Sequence, residues 1–83
     1  MATQPLRRTA VAAEVRAELA RQNKTATSLA KTTDIPVDTL RRRLNGLSSF
    51  TVEELGSVCA YLGLSLDELL ARCEASAAAE VAS

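Results

Sequence analysis

Residues 25–46 read TATSLAKTTDIPVDTLRRRLNG, and this stretch decides the fold. Thr25 offers its hydroxyl to the open N–H groups of a helix start, and Leu29 and Ala30 give the short helix behind it, through Lys31 or Thr32, an apolar pair. Pro36 disfavours helical geometry at Ile35 and suits the start of a helix itself, so residues 33–36 read as a tight turn. A second helix then runs from Pro36 or Val37 to Asn45. Its inward face can only be Leu40 and Leu44, helped by Ile35, which turns Arg41 and Arg42 away from the core. Asn45-Gly46 supplies a left-handed stop.

Working outward toward the N-terminus, Val11, Val15 and Leu19 recur every four residues and predict an amphipathic helix over roughly residues 10–22, capped by Thr9. Toward the C-terminus, Thr51 and Glu54 form a capping box with Phe50 placed as a staple. Leu55, Val58, Cys59 and Leu62 follow at helical spacing up to Gly63, with Gly56 an unfavourable residue in the helix interior. A second box, Ser65 with Glu68, opens a fifth helix whose stripe is Leu66, Leu69, Leu70 and Cys73, continuing through Ala77 toward Val81. The expected organisation is a basic N-terminal arm over residues 1–8, an all-α domain of five helices over 9–74, and an Ala-rich tail over 75–83 that is either a helical extension or disordered.

Composition agrees and excludes a good deal. Of the 83 residues 47% are apolar, dominated by Ala and Leu, while one Phe, one Tyr and no Trp argue against sheets and against an aromatic platform for single-stranded nucleic acid. The absence of histidine removes the commonest general base and metal ligand. Cys59 and Cys73 form no C-x-x-C pair, so they read as small buried hydrophobes in a reducing compartment. No metal, no cofactor and no enzymatic activity is expected, since neither a nucleophile–base pair nor a ligand set is visible. Apolar runs are far short of a membrane span and no secretory pattern opens the chain, which predicts a cytoplasmic protein. The net charge of zero is an average: residues 1–50 hold nine Lys and Arg against four Asp and Glu, residues 51–83 one against six. Such asymmetry hints at a polyanion-binding face.

A short helix, a tight turn and a second short helix carrying outward arginines is helix-turn-helix geometry. The run Leu29-Ala30, Ile35, Thr39-Leu40 and Leu44-Asn45-Gly46 resembles the phage repressor and Cro type of helix-turn-helix, the lambda-repressor-like family. Tyr61-Leu62-Gly63-Leu64 and Leu69-Leu70 resemble the later helices of that fold, so the likeness covers roughly residues 9–74. Three positions differ from the family pattern. Asp34 stands where the turn usually has Gly, Ala26 where the helix start often has Gln, and Arg43 in a usually apolar slot.

The resemblance implies a regulator of transcription that places its third helix in the major groove of a double-stranded DNA operator. Base readers then fall at Val37, Asp38, Thr39 and Arg42, with Arg41 at the groove edge. Arg42 can bond guanine O6 and N7 together, and Val37 can meet a thymine methyl. Asp38 either accepts from cytosine N4 or simply serves the N–H groups of its own helix start. Phosphate contacts are expected from Lys24, Thr25, Thr27, Asn45 and Ser48, with Arg43 joining them. Arg7 and Arg8 are either an arm that reaches DNA or merely a soluble chain end.

One such helix reads few base pairs, so a homodimer on half-sites about 34 Å apart is expected. Leu66, Leu69, Leu70, Cys73 and Ala77 are its candidate interface, unless those leucines only finish the core. Two other readings stay open: an antitoxin-like interaction module whose acidic C-terminal half holds a protein partner, and a small excision or architectural DNA-binding factor.

Overall fold

A computed structural model describes residues 8–82 of the chain, and the surroundings of side chains through residue 75. The elements are α1 (Arg8–Arg21), α2 (Ala26–Thr33), α3 (Val37–Leu44), α4 (Val52–Leu62) and α5 (Leu66–Ala82), with no strand among the described residues. All five lie where the apolar spacing puts them. The start of α1 differs. Thr9 lies inside the helix instead of capping it, because the helix already begins at Arg8. Arg7 and the rest of the expected arm lie outside the described residues. At the other end α5 continues unbroken to Ala82.

Capping residues fix the boundaries. Thr25 Oγ1 accepts from Ser28 N–H at 3.1 Å at the start of α2. At α4 the box is complete, with Glu54 N–H donating to Thr51 Oγ1 at 3.0 Å and Thr51 N–H to Glu54 Oε1 at 2.9 Å. Ser65 Oγ accepts from Glu68 N–H at 3.1 Å before α5. Three helix ends close on the backbone itself, with a left-handed residue after the last turn. They are Asn23 (φ 56°), Gly46 (φ 74°) and Gly63 (φ 71°), each followed by an N–H that reaches back five residues: Lys24 to Leu19 O at 2.8 Å, Leu47 to Arg42 O at 3.0 Å and Leu64 to Cys59 O at 2.9 Å. Gly46 is also tight against α1, since a Cβ there would stand 3.1 Å from Thr9 Cγ2. Asp34 ends α2 at φ 61°, taking the left-handed conformation that falls to glycine in the family pattern.

The core runs through every helix. Leu29, Leu40, Leu69, Val15, Val58 and Cys73 are fully buried, joined by Leu19, Leu44, Leu62, Cys59 and Ile35 from the α2–α3 turn. Helix α1 packs on α3 and α5, α2 on α3 and α4, and α4 on α5. Leu69 and Cys73, expected at an interface between copies, belong to this core at 1% and 0% exposure, because α5 is the element that closes it against α1 and α4. Leu66 and Leu70 remain half-buried, and the side chain of Ala77 lies outside the described residues. Burial pushes both thiols up in pKa, which keeps Cys59 and Cys73 protonated and inert.

One carboxylate is inside. Glu18 on α1 is 7% exposed and accepts from Arg21 Nε at 2.7 Å, Gln22 Nε2 at 3.0 Å and Arg72 Nη1 at 2.9 Å, while Gln22 also donates to Leu62 O at 2.7 Å. The network ties α1 to the end of α4 and to α5. The hydrogen bonds from Gln22 and Arg21 hold the Glu18 carboxyl below its ordinary range, against the opposite pull of burial.

Candidate nucleic-acid interface

Helix α3 is two turns long and two-faced. Leu40 and Leu44 are buried, Val37 and Thr39 are half-buried, and Asp38, Arg41 and Arg42 are exposed on the outward side. The packing of the two leucines against α1 and α2 leaves the arginine pair no inward alternative. Thr27 is exposed in the first turn of α2, beside its cap Thr25. Lys24 is less free than its position in the sequence implies. Its Nζ donates to Tyr61 O at 3.0 Å and stands 4.4 Å from the Tyr61 ring centre, and the Tyr61 hydroxyl is 2.6 Å from Ser28 Oγ. The start of α2 is thereby pinned to α4.

Between α1, the start of α2 and the end of α3 lies a shallow groove of about 440 Å³, floored by Leu19, Ala20, Ala26 and Leu44 and rimmed by Arg16, Lys24, Arg41 and Asn45. Three cations around an apolar floor form an electropositive edge that continues the exposed face of α3. Thus Lys24, Arg41 and Asn45, three of the residues expected on DNA, share one surface feature.

The carbonyl end of α3 is gripped from both sides. From α1, Arg16 Nη1 donates to Leu44 O, the last carbonyl of the helix, and Arg8 Nε donates at 2.9 Å to Gly46 O in the turn just beyond its cap, so both receive guanidinium donors. Arg8, expected in a loose arm, is thus a helical residue with an internal partner. From α4, Glu54 receives Arg43: Nε to Oε1 at 2.7 Å and Nη2 to Oε2 at 3.3 Å, with Arg43 Nη1 donating to Ser48 Oγ at 2.7 Å. Arg43 and Ser48, both expected on phosphate, therefore have each other and Glu54. Burial pushes the Glu54 carboxyl up, and the hydrogen bonds from Arg43 and Thr51 outweigh it, so the group is held below its ordinary range. Arg16 was not among the expected site residues, and no periodic signal marks it, because its partner lies 28 residues away.

A helix-turn-helix family model matches residues 15–69, from the middle of α1 to the core residue Leu69 of α5. The chain belongs to the lambda-repressor-like helix-turn-helix family. It is a DNA-binding domain of that family, with α2 and α3 as the helices on either side of its turn. Solved structures of the clp gene regulator ClgR from Corynebacterium glutamicum share this helix-turn-helix fold. One is 30% identical, with a TM-score of 0.87 over 96% of this chain and 85% of that chain. A second is 30% identical, with a TM-score of 0.79 over 88% and 95%. Among curated proteins none matches. Among the described residues no helix is long and apolar enough to cross a membrane, and no three of His, Cys, Asp and Glu come together to hold a metal.

Proposed function

We propose that this helix-turn-helix chain is a sequence-specific transcription regulator that acts as a phage-type repressor does, by occupying an operator with α3 in the major groove. The observation that carries the reading is the outward face of α3, where Asp38, Arg41 and Arg42 stand exposed on a helix whose other side is locked into the core. Arg42 reads guanine, Val37, Asp38 and Thr39 line the base edges, and Arg41 follows the groove wall. Lys24, Thr25, Thr27 and Asn45 lie along the phosphates beside the cation-rimmed groove. Similarity to a clp gene regulator supports a role in controlling genes. Two copies bind together, through the part of α5 that the core leaves over: half-buried Leu70 and the helix beyond Cys73.

The experiment is selection of duplexes from a random-sequence pool by the full chain, followed by titration of selected and scrambled duplexes at physiological salt. A preference of ~10³-fold or more for an inverted repeat with half-site centres about one helical turn apart is the expected result. Weak binding without preference overturns the reading.

A further inference from the structure

We propose that Arg43 is a positioning residue for base reading, acting through Glu54 and Ser48 and making no phosphate contact of its own; the inference rests on the function proposed above. Arg43 occupies a slot that is usually apolar in the family the chain resembles, yet its side chain is only 20% exposed and three of its nitrogens are bonded. The acceptor is itself fixed. Glu54 Oε1 also receives Thr51 N–H at 2.9 Å, so the Arg43–Glu54 pair joins the last turn of α3, the loop at Ser48 and the first turn of α4. On the opposite side Arg16 and Arg8 hold Leu44 O and Gly46 O. The carbonyl end of α3 is thus set between α1 and α4 by charge-assisted bonds. An eight-residue helix is about 12 Å long, so a tilt of about 5° at that end moves the reading end by about 1 Å, which exceeds the tolerance of a bidentate base contact. Turning Arg43 to a phosphate would break this pair and leave the Glu54 carboxylate, 19% exposed, without its cation.

The test compares wild type, Arg43→Met, Glu54→Gln and Ser48→Ala on the selected and scrambled duplexes over a salt series, with thermal melts verifying that each is folded at the assay temperature. Gln keeps the capping box, and Met keeps the apolar stem of Arg43. The expected result is a loss of preference of roughly ten-fold for both Arg43→Met and Glu54→Gln. Binding of Arg43→Met to scrambled duplex keeps the wild-type salt slope, and Ser48→Ala moves in the same direction by a smaller factor. Glu54→Gln is decisive because it removes a negative charge: a purely electrostatic role for Arg43 makes this variant bind every duplex more tightly with preference intact, and that result overturns the proposal. So does a fall of about 0.9 in the salt slope of Arg43→Met with both duplexes weakened alike, which is the signature of a lost phosphate contact. A wild type that selects no duplex sinks the regulator reading and this inference together, whereas a selective wild type with equally selective variants sinks this inference alone.

Discussion

Gly56 stands in the exposed middle of α4 with helical backbone, and a Cβ there would meet no described atom within 4 Å. Nothing in the fold asks for glycine at this site, so Gly56→Ala is expected to raise stability by about 1 kcal/mol, seen as a higher denaturant midpoint at unchanged slope. The same change at Gly46 has the opposite sign, because the left-handed φ of 74° and Thr9 both oppose a side chain. Single residues are also where the sequence is least legible. Arg8, Arg16 and Arg43 find partners 38, 28 and 11 positions away, and a long side chain with several rotamers carries no local sign of which acceptor it will meet. The exposure of Arg41 and Arg42 was legible for the converse reason: Leu40 and Leu44 leave them only one side of the helix.

Elements are far more legible, since caps, stops and apolar spacing act within one or two turns. The capping box at Thr51 and Glu54 lies where local chemistry puts it, as does the Ser65 cap of α5, although there Glu68 does not return the bond to the Ser65 N–H; Asp34 takes the left-handed conformation of its turn. What spacing does not tell is which neighbour covers a stripe. The α5 leucines read equally well as core or as an interface between copies, and the packing of α5 on α1 and α4 buries Leu69 in the core while leaving Leu66 and Leu70 half-buried. Leu69→Ala therefore is expected to cost about 2–5 kcal/mol in a denaturant titration, as removal of a fully buried side chain does. For the proposed dimer, Leu70→Arg, at a half-buried position one residue on, is expected to leave the helical signal intact, to move sedimentation from dimer to monomer and to lower operator affinity in step. A folded Leu70→Arg that still sediments as a dimer removes α5 from the interface.

At the scale of the molecule the charge division of the sequence gathers Arg16, Lys24 and Arg41 around the groove and Arg42 on the face of α3, while most of the carboxylates belong to α4 and α5. Glu18 and Glu54 join the two halves, and both have lowered pKa values relative to 4.5, the ordinary value. A carboxylate with a depressed folded-state value contributes its stability in full above the unfolded value and loses it as pH falls through the folded one. Stability is thus expected to hold from neutrality to about pH 4.5 and to decline below it, with Glu18→Gln less stable at neutral pH and flatter in its acid decline, as urea midpoints across that range will record. The internal engagement of guanidiniums has one more effect. Arg8, Arg16, Arg21, Lys24 and Arg43 all have carbonyl or carboxylate partners, which leaves Lys31, Arg41 and Arg42 as the cations of residues 8–50 with none among the described residues. Those bonded to carbonyls keep their charge, so the electropositive edge stands, but few side chains are left to close on the phosphates of arbitrary duplex, and its stays there are expected to be brief. Against the ~10⁶–10⁹ wrong sites of a genome, brief stays at each shorten the search for the right one.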